Sequence, residues 1–317
     1  MSSRHLVDPE LLPLLDQFAT VVLDTATLAD LRRAEAGARL PAPPNSVRLE
    51  RHWATAADGH RLGLDVYLPA PTVPRPLGCI YHIHGGGYVG GAPELNEFFL
   101  RPMAEQLGCA IVSVAYRLAP EHPHPTPVED CFAGLGWTVA AASALGIDRA
   151  RIGVMGESAG GGLAAALALL TRDRGGPALA FQLLTYPMLD DRSCTRADHG
   201  FAGEFIWTAH NNRFGWRALL GEEPGAPGIS PYAAPARAGD LAHLPPSWIA
   251  TGALDLFAEE NIDHARRLLA AGVPCELHLY PGAFHGFDIL PVAEVSRRAA
   301  ADRLAALERF LRPAGLR

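Results

Sequence analysis

Ser158 stands in Gly156-Glu157-Ser158-Ala159-Gly160, with a glycine two residues away on either side. A serine hydroxyl is a weak nucleophile until a base takes its proton, and glycines at those two positions allow the sharp turn that pushes the hydroxyl into a site. Residues of the types needed to activate it lie far downstream. His285, in Pro281-Gly282-Ala283-Phe284-His285-Gly286, carries the side chain that ordinarily titrates nearest neutrality, which suits it to accept the serine proton. Asp255, in Gly252-Ala253-Leu254-Asp255, is of the type that fixes an imidazole tautomer and stabilises its charged form. Upstream, His84-Gly85-Gly86-Gly87-Tyr88 offers backbone N–H groups to an oxyanion. Together these residues point to acyl transfer through a covalent serine intermediate.

Each residue also has a plainer reading. Ser158 is a competent N-cap for the helix composition that follows it, and so is Asp255; for Asp255 the two roles are compatible. Asp288, Glu259 and Glu260 are rival acids. Gly85, Gly87 and Gly90 satisfy G-x-G-x-x-G, the dinucleotide fingerprint, which needs a helix starting within the glycines and an acid ending the next strand. Gly90, Gly91 and Pro93 oppose that helix, and Tyr116-Arg117 stands where the acid belongs. The pairs His82/His84 and His122/His124 have no carboxylate or cysteine at metal-ligand spacing. His84 is therefore read as a hydrogen bonder shaping its loop, and His122 and His124 as surface residues.

The elements that position these residues follow from the apolar rhythm. Val47 to Thr55 and Leu62 to Leu68 flank the turn dipeptide Asp58-Gly59 and predict an antiparallel pair. Thereafter short apolar runs at 77–83, 110–114, 151–155, 179–184, 247–251 and 276–280 alternate with helical stretches such as 158–171, 259–271 and 295–311. Alternation of apolar strands with helices predicts a parallel sheet covered on both faces, with ligands beyond the carboxyl ends of the strands. Ser158, His84, Asp255 and His285 all fall just past such runs. Before the sheet, Leu14, Leu15, Phe18 and Val22 follow helical spacing behind Pro13, and a proline-rich stretch over 38–45 closes this segment.

Residues 190–240 break the rhythm and carry Phe201, Phe205, Trp207, Phe214, Trp216 and Tyr232. They read as an insertion whose aromatics form a small core of their own, with a pocket lining as the alternative. The expected organisation is an N-terminal cap segment over 1–45, a catalytic domain over 46–189 and 241–317, and a cap insertion over 190–240. The two cap pieces are expected to act together as a lid over Ser158, since 45 residues are too few to fold alone.

An apolar content of 49% with 19% charged residues excludes disorder for the bulk of the chain, and a net charge of −7 makes nucleic acid and anionic membrane poor partners. The five cysteines, Cys79, Cys109, Cys131, Cys194 and Cys275, form no CxxC pair, so neither a disulfide framework nor a zinc knuckle is written here. Cys79 and Cys109 lie in apolar runs and read as core residues. The absence of a signal-like start and of a membrane-length apolar run predicts a cytoplasmic protein.

Taken together, His84 to Gly87, Tyr116-Arg117-Leu118-Ala119-Pro120-Glu121, Gly156 to Gly161, Asp255 and His285-Gly286-Phe287 resemble the bacterial hormone-sensitive-lipase-like esterases, over roughly residues 75 to 312. The resemblance implies an α/β-hydrolase fold: an eight-stranded, mostly parallel sheet flanked by helices, with a helical cap. It also implies no cofactor and hydrolysis of carboxylic esters, usually with short acyl chains. Ser158 would be the nucleophile, His285 the base and Asp255 its orienter, with the N–H groups of Gly86, Gly87 and Ala159 as the oxyanion hole. Three departures stand out. Asp255-Leu256-Phe257 replaces the family's usual Asp-Pro-Leu, Glu157 precedes the serine where aspartate is frequent, and His124 and Thr126 occupy positions often held by Phe and Ala. The sequence leaves an amidase, a lactonase or a catalytically silent ligand-binding protein on the same fold as alternatives, and a homodimer open.

Overall fold

The computed structural model describes residues 2–17, 21–38, 42, 44–196 and 199–313. Among them eight strands form one sheet: β1 (Arg48–Thr55), β2 (Arg61–Leu68), β3 (Leu77–Ile83), β4 (Ala110–Val114), β5 (Ile147–Glu157), β6 (Gln182–Thr185), β7 (Ser247–Gly252) and β8 (Cys275–Tyr280). Their spatial order is β1-β2-β4-β3-β5-β6-β7-β8, with β1 and β2 antiparallel to their neighbours and the rest parallel. The turn from β1 to β2 is closed at Asp58-Gly59, where Gly59 takes a φ of 85°. Every residue of β3, β4, β6 and β7 is buried, as a strand covered on both faces requires.

The covering helices are α1 (Leu12–Gln17), α2 (Thr25–Gly37), α3 (Glu97–Leu107), α4 (Thr126–Leu145), α5 (Ala159–Asp173), α6 (Ala209–Leu220), α7 (Ala258–Ala270) and α8 (Glu294–Leu311). Strand alternation divides the core in two. Cys79, Tyr81 and Ile83 of β3 pack with Leu135 of α4, Leu167 of α5 and Leu268 of α7 on one face. Ile80 and Ile111 pack with Leu100 and Met103 of α3 and Leu307 of α8 on the other. Strand β3 has β4 on one side and β5 on the other, so strand order reverses between β3 and β5. Such a switch point opens a crevice beyond the strand ends, and both glycine-containing motifs face it.

Three expectations change. The N-terminal helical spacing does not make one helix: α1 ends at Gln17, Val22 lies outside any helix and is 57% exposed, and Phe18 falls outside the described residues. Instead α2 starts at a capping box, with the Asp24 carboxylate accepting from the N–H of Ala26 and Thr27. Second, the aromatics of 190–240 build no core of their own. Trp216 joins the main core beside Tyr88, Phe214 packs with Leu23 and Leu28, Phe205 meets Phe284, and the Tyr232 hydroxyl donates to Asp173. A stretch of that length buries its large rings more fully on an existing core than on itself. Third, His124 is half-buried, its N–H donating to the carbonyl of Leu219, while His122 is exposed.

Candidate active site

At the end of β5 the chain turns so tightly that Ser158 adopts φ 57°, ψ −123°, before α5 begins at Ala159. This is a strained conformation for a residue with a side chain, and the surroundings enforce it. A Cβ on Gly156 would stand 2.3 Å from the carbonyl oxygen of Gly160, and one on Gly160 would stand 2.1 Å from that of Ile83. Those two positions must be glycine for helix, strand and loop to meet. The Ser158 N–H donates to Thr185 O at 2.9 Å, and its carbonyl accepts from Gly162 and Met188, so the backbone is pinned independently of the hydroxyl.

The structure brings the three dispersed candidates together. His285 Nε2 lies 2.9 Å from Ser158 Oγ, and its Nδ1 lies 2.8 Å from Asp255 Oδ2. An aspartate carboxylate can only accept, so Nδ1 carries the proton; Nε2 is then the acceptor and the serine hydroxyl donates to it. The second oxygen of Asp255 accepts from Phe257 N–H at 2.9 Å, in the turn ahead of α7. All three residues are buried. The His285 ring is enclosed by Tyr186, Phe257 and Trp207, with centroids at 4.7, 5.3 and 6.2 Å.

The rival acids are engaged elsewhere. Asp288 accepts from the Tyr186 hydroxyl and from Arg303, Glu259 takes the N–H of His199, and Glu260 takes the N–H groups of Leu189 and Asp190. His82 joins Ser113 to Glu157 at 2.8 and 2.9 Å, a buried chain behind the elbow. Among the described residues no group of three or more His, Cys, Asp or Glu side chains could hold a metal ion.

The glycine loop after β3 closes on itself: Val89 N–H and Gly90 N–H both donate to Gly86 O. Gly86 and Gly87 take φ of 119° and 60°, and a Cβ on Gly87 would lie 2.2 Å from the Trp207 ring. Gly86 and Gly87 line the same cavity as Ser158, and Ala159 is the first residue of α5. His84 stacks on Tyr116 at 4.3 Å and its Nδ1 pairs with Gly85 O.

Burial pushes His84 down to about 4, and likewise His264 of α7, whose ring nitrogens both lack a partner among the described residues. Unfolded imidazoles take up protons below their ordinary value of about 6.5, while these two stay neutral until about 4. Between those limits the unfolded chain binds more protons, so the stability present at pH 7 is lost as pH falls through that window. His264→Gln is expected to lose less stability than the parent between pH 7 and 4.5, by on the order of 2 kcal/mol, as read from urea unfolding at the two pH values.

Ser158, His285, Gly86 and Gly87 open on a cavity of about 580 Å³. Its walls are mostly apolar, with Leu23 and Leu31 from the N-terminal segment, Phe98 and Phe99 from α3, Trp207 from the 190–240 stretch, and Ile289, but Glu35, Asp288 and Arg303 also line it. Trp207 was visible in the sequence only as one of several aromatics. Tyr186, which covers His285, carries no motif of its own; its signal is its place directly after β6, beyond a strand end.

Residues 80–289 match the family described as alpha/beta hydrolase fold. The carboxylesterase NlhH of Mycobacterium tuberculosis is 34% identical over 315 residues, covering 98% of each chain. Esterase LipI of the same organism is 34% identical over 304 residues, covering 89% of this chain and 88% of its own. Among solved structures, a bacterial heroin esterase superposes with a TM-score of 0.89 at 39% identity, covering 98% of this chain and 100% of its own. With the eight-stranded sheet and the serine elbow at its switch point, these matches establish that the chain belongs to the α/β hydrolase fold family, as a hormone-sensitive-lipase-like esterase.

Proposed function

We propose that this esterase hydrolyses uncharged carboxylic esters with short acyl chains, using Ser158 as nucleophile, His285 as general base and then acid, and Asp255 to orient the imidazole. The observation that carries the reading is the unbroken hydrogen-bonded line from Ser158 Oγ through His285 to Asp255 Oδ2. In the first half-reaction His285 Nε2 takes the hydroxyl proton as Oγ attacks the ester carbonyl carbon. The tetrahedral oxyanion is held by the N–H groups of Gly86, Gly87 and Ala159, and the alcohol leaves with the proton from Nε2. A water then gives its proton to Nε2 and attacks the acyl-serine, and the acid departs as Ser158 regains its hydrogen. The apolar walls favour uncharged substrates, since a charged group there loses its hydration. The short acyl preference rests on the family resemblance.

The N-terminal segment over 1–45 and the 190–240 stretch act in this reading as one cap over a catalytic body formed by 46–189 and 241–317. Direct bonds between the two pieces support it: Leu23 N–H donates to Asn211 Oδ1, Asn211 Nδ2 to Val21 O, and the Ser3 hydroxyl to Glu204. The test of the site is a serine-directed aryl phosphonate. A single adduct mapped by mass spectrometry to Ser158, formed in step with loss of ester turnover, is the expected result. Full inactivation with the label on another residue refutes the assignment.

A further inference from the structure

The loop from His84 to Gly91 holds five glycines in eight residues. Glycine surrenders more backbone freedom on ordering than any other residue, while an oxyanion hole works only if its donors are already in place when charge develops. The loop's internal bonds to Gly86 O fix its middle. Its outer edge is held from elsewhere. Arg32 and Glu35, one turn apart on α2, face that edge together. Arg32 Nε donates to Val89 O at 2.7 Å and Nη2 donates to Ala119 O at 2.7 Å, while Gly91 N–H donates to Glu35 Oε2 at 3.0 Å.

The fit is close. A Cβ on Gly90 would come within 3.0 Å of both Glu35 carboxylate oxygens, and one on Gly91 would stand 2.2 Å from Gly85 O. The peptide gripped by α2 therefore lies directly against the one that leads into Gly86. Arg32 is steadied by Glu121, which accepts from Nη1 and Nη2 at 2.8 and 3.0 Å. Leu28 and Leu31 seat the helix against Val89 and Ala119. Half-buried at this contact, Glu35 is raised above the usual carboxylate range by burial.

We propose that Arg32 and Glu35 are positioning residues for ester hydrolysis: through the backbone of Val89, Gly90 and Gly91, helix α2 sets the placement of the Gly86 and Gly87 N–H groups. Docking of the N-terminal helix and completion of the oxyanion hole are then a single event. This rests on the catalytic reading above.

The experiment uses the full chain with Glu35→Ala, Glu35→Gln, Arg32→Ala and Arg32→Lys, assayed on a short-chain aryl ester and by the rate of phosphonate inactivation. Removing an oxyanion donor outright costs about 10²–10³ in turnover, so displacing one is expected to cost roughly tenfold. Glu35→Ala and Arg32→Ala should lower kcat and kcat/KM together by about that factor, the pattern of an interaction made in the transition state. Phosphonate inactivation should slow in parallel, because the phosphoryl oxygen sits in the same hole. Glu35→Gln keeps an oxygen acceptor for Gly91 and should stay within roughly threefold of the parent by the same measure. Arg32→Lys, with one ammonium for two carbonyls, should fall between Arg32→Ala and the parent. Unchanged kcat with a raised KM or a lowered Tm alone overturns the proposal, as does a Glu35→Gln loss equal to that of Glu35→Ala. If Glu35→Ala does not fold, the Arg32→Lys rates decide by the same criteria. Failure of the underlying reading is separately visible, as an absent Ser158 adduct in the parent protein.

Discussion

Ser158→Ala is expected to reduce turnover of a short-chain aryl ester by about 10⁴-fold or more, with the melting temperature little changed. The magnitude follows from what remains. Without Oγ there is no covalent intermediate, and the oxyanion donors can only assist a water that lacks the serine's placement. The fold survives because the strained turn is held by the backbone bonds to Thr185, Gly162 and Met188 and by the close approach of Gly156 and Gly160. Alanine has the same Cβ as serine and meets the same φ of 57°. The variant should also resist phosphonate labelling. A folded Ser158→Ala protein retaining a tenth of the parental rate would remove Ser158 from the nucleophile role.

Asp255→Asn is expected to cost on the order of 10⁴-fold in turnover, far more than Asp288→Asn or Glu259→Gln. An amide in place of the carboxylate can turn its NH₂ toward His285 Nδ1. The imidazole then prefers to carry its proton on Nε2, where it can no longer accept from Ser158. Phe257 N–H still needs an acceptor, which pulls the amide oxygen toward the backbone and favours this harmful orientation. Asp288→Asn instead breaks the ion pair with buried Arg303, so its cost should appear mainly in unfolding free energy. Glu259→Gln alters a surface bond to His199. Steady-state kinetics and urea unfolding on the three variants separate these outcomes; a larger kinetic loss in Asp288→Asn would show that the acid was misassigned.

Much of the sheet was legible because parallel strands covered on both faces leave a near-continuous apolar signature. The run at 77–83 coincides with β3, and 110–114 with β4. Ser158 was equally visible, since the turn it occupies demands glycines at fixed offsets on either side. The cap resisted the same treatment. Helix α2 presents no large apolar side chain besides Leu28 and Leu31, so its periodicity is weak, although the Asp24-x-x-Thr27 pattern of its capping box is legible. The aromatics of 190–240 misled because composition does not say whose core a ring will join: Trp216 reaches Tyr88, more than a hundred residues earlier in the chain. Arg32 and Glu35 look like ordinary charges of a solvated helix face until the loop they grip is folded beneath them.

The placement of the site in the sheet has a consequence for how the enzyme is made. The candidate triad comes from the end of β5 and the turns beyond β7 and β8, which means that its contacts are far from local in sequence. Pairings of such long separation close late, because each must first overcome the entropy of a large loop. During refolding from denaturant, secondary structure can recover while turnover is still absent, and on the ribosome the chain stays inert until nearly all of it has emerged. An enzyme assembled in this way has no activity while it is still an incomplete, aggregation-prone chain.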